Sequence, residues 1–238
     1  VDLKGMPVDF DELIELSNKK NIFLISDSAE SFGAKYKQKP VGSQCVFHTF
    51  SFFANKNITT GEGGAITIND KKYYNTVKKI INQGQESRYK HVILGNNFRL
   101  TNIQSAIGYI QIDRLNKILN EKNKYANLYK KLINTNKVEF QKIPSYVSQH
   151  SFYNFTIFMK YQDKIKLKKH LTHNNIETRE SFPPVHIQPY YKKLYNYKKN
   201  DFKNSIDSYN SFLDIPIWFG MGSKKVKYIS NVINNIFK

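Results

Sequence analysis

The chain alternates between apolar residues at helical spacing and short, wholly apolar runs. Over residues 9–19 the apolar positions recur every three or four residues, which predicts an amphipathic helix with Asp9 as its N-cap. Residues 22–25 are continuously apolar, as expected for a parallel strand buried on both faces. Two further strands are predicted at 46–52 and 65–68. Helices alternating with strands predict an α/β fold with a mainly parallel sheet.

A helical pattern of unusual length follows. It covers residues 101–133, which exceeds a usual helix, so we expect a break near residues 120–124. The other predicted elements are helices at 70–81, 163–172 and 226–237 (the last capped by Ser223), strands at 153–159 and 176–179, a polar loop at 84–97, and a rigid loop with three prolines at 181–190.

The character of the pattern changes near residue 138, where shorter mixed elements replace the regular alternation. A chain of 238 residues can form one large or two small domains with an ample core. The pattern therefore predicts a second, smaller α+β region toward the end of the chain.

The composition argues against several classes of protein. The net charge is +18, but the lysines are spread along helical segments without a basic block or a nucleic-acid-binding motif, so no nucleic-acid partner is expected. No apolar run is long enough to span a membrane, and no signal peptide is visible. The single Cys45 excludes an intrachain disulfide, and we expect it to be buried and inert. These features predict a soluble cytoplasmic protein, and no metal site is expected.

Lys56 lies in the stretch with the most evident chemistry. It sits between a predicted strand and a loop that carries Gly61, Gly63 and Gly64, among several small polar residues. Burial in such a pocket favours the neutral, nucleophilic form of an amine, which suits Schiff-base formation with an aldehyde cofactor. On this pattern alone the signal is weak, because most lysines are solvated surface groups.

Asp27 follows the apolar run 22–25. Open α/β sheets bind ligands at the carboxyl ends of their strands, and a carboxylate there can pair with a protonated heterocyclic nitrogen. The alternative is that Asp27 caps a following helix, because Asp is favoured at that position.

Three segments resemble one known family: DSAESFGAKYKQKPVGS (27–43), TFSFFANKNITTGEGGAITIND (49–70) and GNNFRLTNIQSAIG (95–108). Motifs of this kind recur in order over nearly the whole chain. They resemble the DegT/DnrJ/EryC1/StrS sugar aminotransferases, which have fold type I and use pyridoxal 5′-phosphate. The resemblance implies that residues 1–119 are the C-terminal part of the large cofactor-binding domain with the start of its linking helix, and residues 120–238 the small domain. Roughly the first third of the family pattern, which holds much of the cofactor phosphate, has no counterpart here. We therefore expect a fragment or a truncated product.

The resemblance implies roles for four residues near the cofactor. Lys56 forms the Schiff base and then acts as the catalytic base, while Asp27 keeps the ring nitrogen protonated. Ser51 matches the phosphate-binding serine. Glu30 matches the residue that contacts the phenolic oxygen of the ring, where many members have glutamine.

Family active sites are shared between two subunits, so the resemblance also implies a homodimer. Asn97 would reach the cofactor phosphate in the partner subunit, and Tyr89 would lie near the substrate. His186, in the proline-containing loop, matches an element near the substrate, with a purely structural loop histidine as the alternative.

Within the family, residues 50–64 and the turn at 82–84 are most similar to GDP-perosamine synthases. This implies transfer of the amino group of L-glutamate to the 4-keto carbon of GDP-4-keto-6-deoxy-D-mannose, for O-antigen or other cell-surface glycans. The alternatives are a UDP- or dTDP-linked 4-keto sugar as substrate, or an inactive remnant that lacks the phosphate-binding segment. Related dehydratases carry histidine at the position of Lys56, which favours transamination here.

Overall fold

The computed structural model describes all 238 residues, which fall into two units. Unit 1 consists of residues 1–120 and 144–153, and unit 2 of residues 121–143 and 154–238. The sequence pattern gave no sign that residues 144–153 return to the first unit.

Helices and strands are distributed along both units as follows. The first part of the chain contains α1 (Phe10–Lys20), β1 (Ile25–Asp27), β2 (Lys35–Tyr36), β3 (Lys39–Pro40), β4 (Phe47–Ser51), β5 (Gly64–Ile68), α2 (Tyr74–Ile81), β6 (Gln85–Ser87), β7 (Lys90–His91) and α3 (Asn102–Asp113). The rest contains α4 (Leu115–Leu132), β8 (Glu139–Phe140), β9 (Val147–Gln149), β10 (Phe155–Phe158), α5 (Tyr161–His173), α6 (Pro189–Tyr195), α7 (Lys203–Ser211), β11 (Phe212–Ile215) and α8 (Ser223–Ile236).

Helix α1 confirms the pattern at residues 9–19. Asp9 is its N-cap and accepts the backbone N–H of Glu12. Phe10 is buried against Tyr36 and Cys45, in a small core cluster of unit 1. Cys45 is a free, buried thiol, and burial raises its pKa, so it is held as the unreactive thiol, as expected.

The main sheet of unit 1 has the order β1–β4–β5 and is mixed. β1 pairs with β4 in parallel, and β4 pairs with β5 antiparallel. The prediction of a doubly buried strand at 22–25 was wrong. The strand begins only at Ile25, and the side chains of Phe23 and Ile25 are 73% and 60% exposed. β1 is the edge strand of this sheet, and only its Ser26 face is covered, so one face of the apolar run meets solvent.

The long helical pattern is broken, but not where expected. The break is at Arg114, between α3 and α4, rather than at 120–124. Arg114 keeps nearly helical backbone angles (φ −88°, ψ −8°), so the interruption is a single residue. Near 120–124 the helix continues through residues whose apolar side chains are buried, such as Leu119 and Tyr125.

The predicted polar loop 84–97 contains the β6–β7 hairpin. Gly84 precedes it with φ +72° and donates its N–H to Lys79 O at 2.7 Å. A Cβ at Gly84 would lie 1.7 Å from the carbonyl oxygen of Ile93, so this close approach of two backbone segments requires glycine.

Two further predictions need correction. Residues 176–179 form no strand but only an isolated bridge between Arg179 and Asp214, because the chain meets β11 at one position. Ser223 does not cap the last helix. It is the first helical residue of α8, and the N-cap is Gly222, without a side-chain hydrogen bond.

Unit 2 is built on an antiparallel sheet of order β11–β10–β8. Its core contains Phe155, Ile157 and Leu213 from the sheet. Tyr129 of α4 is fully buried, stacks on Phe155 at 5.0 Å, and donates its hydroxyl to the carbonyl of Pro216 at 2.8 Å. In neither unit does any helix combine the length and the apolar character that crossing a bilayer would demand.

One ion pair of unit 2 contains a lysine that is almost completely buried. Lys164 is 2% exposed, and its Nζ lies 2.9 Å from the carbonyl oxygen of Tyr209 and 3.2 Å from Glu180 Oε1. The exposed Lys168 pairs with the other oxygen of Glu180 at 2.7 Å.

Candidate active site

Lys56 lies in the connection between β4 and β5, residues 52–63, which we call the Lys56 loop. Phe52 closes its base: the N–H of Phe52 donates to Gly63 O at 2.8 Å, and its carbonyl accepts the N–H of Thr60 at 2.9 Å. Gly63 has φ +143°, and a Cβ there would lie 2.6 Å from Thr60 Oγ1. These contacts fix the loop, and the Lys56 side chain is only 15% exposed. Lys56 is therefore not a solvated surface lysine.

The Lys56 amine lies between a carboxylate and an aromatic face. Its Nζ is 3.9 Å from Glu30 Oε1 and 4.4 Å from the centroid of the Tyr153 ring. Glu30 is itself held, since its Oε2 accepts the N–H of Lys4 at 2.7 Å. An ammonium is attracted both by the carboxylate charge and by the electron-rich ring face. The amine is thus kept at a defined position in a largely buried site.

Three distant segments meet beside this amine. Ser151 donates its N–H to Gly5 O at 3.1 Å and its hydroxyl to Glu30 O at 3.0 Å. Its own carbonyl accepts the side-chain amide of Asn57 at 2.8 Å. A Cβ at Gly5 would lie 2.4 Å from Ser151 Oγ, so the N-terminal segment can approach only because this residue is glycine. Sequence reasoning missed Ser151, because its contact with Glu30 spans 121 residues and leaves no local pattern.

Asp27 ends β1 and forms a turn rather than a helix cap. Its Oδ1 accepts the N–H of Ala29 at 3.1 Å, and residues 29–33 are turns, so the helix-capping alternative does not apply. Glu30 lies in the same turn.

Asp27 and Ser51 share one edge of the parallel strand pair. Asp27 is opposite Thr49, and Ser51 follows Thr49 by two residues, so the side chains of Thr49 and Ser51 point to the same face. Ser51 Oγ accepts the N–H of Phe53 at 3.3 Å at the start of the Lys56 loop. A carboxylate and a hydroxyl therefore stand at the carboxyl edge of the pair, where the Lys56 loop begins.

The remaining predicted site residues lie elsewhere. Tyr89 is at the tip of the β6–β7 hairpin and 77% exposed. Asn97 is exposed and forms an isolated bridge with Asn82. Their proposed roles at a partner subunit stay predictions.

His186 lies in unit 2 and is buried. Its Nε2 donates to Lys199 O at 3.1 Å, and its ring packs against Phe202 at 4.8 Å. These contacts are those of the structural alternative, and the substrate contact stays a prediction.

Comparison with known proteins places these residues in a family. The model of the DegT/DnrJ/EryC1/StrS aminotransferase family matches residues 1–234. The GDP-perosamine synthase of Escherichia coli O157:H7 is 36% identical over 240 residues, which is 100% of this chain and 64% of that protein. The GDP-perosamine synthase of Vibrio cholerae is 32% identical over 242 residues, covering 100% of this chain and 65% of that protein. The chain thus spans just under two thirds of the length of these relatives.

The fold is also that of solved structures. Helicobacter pylori PseC, an aminotransferase involved in the biosynthesis of pseudoaminic acid, superposes with a TM-score of 0.90 at 24% identity, over 99% of this chain and 65% of PseC. A DegT DnrJ EryC1 StrS aminotransferase from Brucella abortus gives a TM-score of 0.90 at 22% identity, over 99% of this chain and 63% of that one. These matches confirm the expected α/β aminotransferase fold. The chain belongs to the DegT/DnrJ/EryC1/StrS aminotransferase family.

Proposed function

We propose that this chain carries the cofactor site of a pyridoxal-phosphate-dependent aminotransferase that acts on a nucleotide-linked sugar. The observation that carries the proposal is the placement of the Lys56 amine, which is 15% exposed and lies beside Glu30 and Tyr153. A lysine held in this way, in a loop that starts at the carboxyl edge of a parallel strand pair, suits covalent capture of an aldehyde.

The donor groups of the site fit pyridoxal phosphate. The Lys56 amine would bind its aldehyde, the Asp27 carboxylate its ring nitrogen, and the Ser51 hydroxyl its phosphate. Glu30, beside Lys56, would face the phenolic oxygen. When bound, this cofactor supplies an electron sink that stabilises the carbanion left when an amino acid loses its α-proton.

Each of these residues then has a definite task. Asp27 holds a proton on the nitrogen of the ring, which keeps the ring electron-withdrawing. The amine of Lys56 would accept the α-proton of the amino acid and deliver it at Nζ to another carbon within reach. Glu30 balances positive charge at Nζ, and the Tyr153 ring covers one side of the amine against water.

The reaction we propose moves the amino group of L-glutamate to the 4-keto carbon of a 4-keto-6-deoxy sugar. GDP-4-keto-6-deoxy-D-mannose is the first candidate, supported by the two GDP-perosamine synthases at 36% and 32% identity. A UDP-linked sugar is the second, since a UDP-4-amino-4,6-dideoxy-N-acetyl-β-L-altrosamine transaminase of Campylobacter jejuni is 31% identical over 252 residues. A role in O-antigen or another surface glycan, and a homodimer with shared active sites, belong to the same proposal.

Covalent trapping tests the role of Lys56. The full-length natural chain is incubated with pyridoxal phosphate, reduced with borohydride and digested, and the modified peptide is identified by mass spectrometry. We expect the cofactor mass on Lys56. Lys56→Arg is the matched control, because it keeps the positive charge but forms no Schiff base under these conditions. Labelling of other lysines without Lys56 would overturn the assignment.

The substrate is tested separately with isotope-labelled glutamate. GDP-, UDP- and dTDP-linked 4-keto-6-deoxy sugars are offered in parallel, and labelled nitrogen in the sugar product is measured. Preferential amination of the GDP-linked sugar is expected. Preference for a UDP- or dTDP-linked sugar would transfer the proposal to that nucleotide, and trapping at Lys56 without amination of any sugar would refute the sugar substrate while leaving the cofactor site.

A further inference from the structure

A buried polar cluster lies behind the Asp27 turn, and nothing in the proposed function uses it. Asp2, Ser28, Ser31 and His48 have no exposed surface. The Oδ2 atom of Asp2 accepts the hydroxyls of Ser28 and Ser31, each at 2.8 Å, and its Oδ1 accepts the N–H of Val8 at 3.1 Å. A carboxylate held by three donors in the interior has a fixed orientation.

His48 extends this cluster, and its hydrogen-bond partners determine which of its ring nitrogens donates and which accepts. Its Nε2 accepts two backbone N–H groups, from Gln44 at 3.3 Å and Cys45 at 3.2 Å, so Nε2 carries no proton and Nδ1 carries one. Nδ1 lies 3.0 Å from Ser28 Oγ and donates to it, which leaves the Ser28 hydroxyl to donate to Asp2. Burial also lowers the pKa of His48, so the ring stays neutral and the direction of the chain is set.

The cluster and the candidate site lie on opposite faces of the same backbone segment, residues 26–28. Ser26 and Ser28 are buried, whereas Asp27 between them is exposed, as alternation along a strand requires. Asp27 is held on both sides: its carbonyl accepts the N–H of Asp2 at 2.9 Å, and the N–H of Ser28 donates to Thr49 O at 2.9 Å. Any displacement of Ser28 would therefore move Asp27.

We propose that Asp2, Ser28 and His48 form a positioning network that aims the Asp27 carboxylate at the ring nitrogen of the cofactor. The inference rests on the proposed function, and it assigns these three residues no contact with the cofactor. The competing explanation is that the cluster only stabilises unit 1. The two explanations predict different effects on cofactor binding when the hydrogen bonds of one His48 ring nitrogen are removed and those of the other are kept.

The chain offers a matched pair of variants at His48. Asparagine places an amide near the position of Nδ1, so His48→Asn retains a donor to Ser28 and loses the contacts to Gln44 and Cys45. Glutamine reaches the position of Nε2, so His48→Gln retains an acceptor for those two N–H groups and loses the donor to Ser28. Ser28→Ala removes the middle of the chain, and Asp27→Asn serves as the reference for loss of the carboxylate itself.

The readout is the affinity of the full-length natural chain for two ligands. One is pyridoxal 5′-phosphate, and the other is its 1-deaza analogue, in which a C–H group replaces the ring nitrogen. A purely structural defect lowers the affinity for both ligands alike, whereas a misplaced Asp27 lowers the affinity only for the ligand that has the ring nitrogen. We expect Ser28→Ala and His48→Gln to weaken pyridoxal phosphate about tenfold and the analogue less than about twofold, with His48→Asn close to the wild type.

Each other outcome is decisive. Equal losses for both ligands, or His48→Asn as damaging as His48→Gln, would overturn the positioning role in favour of a structural one. If Asp27→Asn discriminates between the ligands and Ser28→Ala and His48→Gln do not, the network is refuted while the proposed function stands. If Asp27→Asn fails to discriminate, the assignment of Asp27 falls and the positioning role falls with it. If Ser28→Ala does not fold, the His48 pair decides alone.

Discussion

Removing the charge of Glu180 tests how a buried ammonium is stabilised in unit 2. Lys164 is 2% exposed, and Glu180 Oε1 is its charged partner at 3.2 Å, while Tyr209 O accepts a hydrogen bond at 2.9 Å. In Glu180→Gln the ammonium stays buried and keeps only neutral acceptors. Because a buried charge without a counter-charge is costly, the variant should be clearly less stable.

The expected magnitude follows from the burial of both partners. Breaking a fully buried ion pair costs about 3–5 kcal/mol, but the Glu180 side chain is 36% exposed and solvent screens it. We therefore expect Glu180→Gln to lower the free energy of unfolding by about 1–2 kcal/mol. Lys164→Met removes the buried charge together with its desolvation cost and should change stability by less than about 1 kcal/mol.

Lys168 provides the control, because it contacts the same carboxylate at 2.7 Å from a position that is 44% exposed. Lys168→Met should cost less than about 0.5 kcal/mol, as surface ion pairs do. Stability is measured by urea denaturation at neutral pH, followed by circular dichroism and by the fluorescence of Trp218, the single tryptophan.

The double variant Lys164→Met/Glu180→Gln completes the cycle and should recover most of the loss caused by Glu180→Gln. The reasoning is refuted if Lys164→Met is more destabilising than Glu180→Gln, or if the double variant shows the sum of both losses. Either result would mean that packing of the Lys164 stem, and not its charge, dominates at this position.

Three further predictions concern stability. Burial lowers the pKa of Lys122 to about 7, so between that value and the ordinary 10.5 the unfolded chain binds a proton that the folded chain does not, and the stability of the wild type rises with pH. Relative to Lys122→Met, the unfolding free energy of the wild type should rise by about 1.4 kcal/mol per pH unit over this range, and parallel curves for the two proteins would contradict it. Gly84→Ala should be destabilising by more than about 2 kcal/mol, because its φ is +72° and the new Cβ would meet the Ile93 carbonyl at 1.7 Å, so an unchanged thermal midpoint would argue against that geometry. Tyr129→Phe should lose about 1–2 kcal/mol in chemical denaturation, since it leaves the Pro216 carbonyl without its donor at 2.8 Å, and a loss below about 0.3 kcal/mol would show that water replaces the hydroxyl.

Local signals explain what could be predicted from the chain. The N-cap Asp9, the apolar spacing of α1 and the strand predicted at 46–52 are decided by residues close in sequence, and they agree with the structure. Lys56 could be singled out because its loop is rich in glycine and its flanking strands are regular. The position of Asp27 at the end of β1 follows from the same local pattern.

Non-local contacts explain what could not be predicted. An apolar run such as 22–25 indicates that a segment prefers to be buried, but it does not show whether one or both faces of the strand are covered. Phe23 in this run is 73% exposed, because only one face is covered. Tyr153 and Ser151 reach the Lys56 site from a segment that no motif marks. His48 is a single histidine inside a strand pattern, and only the structure shows which groups its two ring nitrogens meet.

The return of residues 144–153 to unit 1 has a consequence for synthesis of the protein. Ser151, which connects Gly5, Glu30 and Asn57, is made 94 positions after Asn57. At translation speeds of about 5–20 residues per second, roughly 5–20 s pass on the ribosome before these partners can meet. During that interval Lys56 lacks the Tyr153 ring that later lies beside its amine. Completion of this site is therefore a late event, because residues 144–153 are made after the other residues of unit 1.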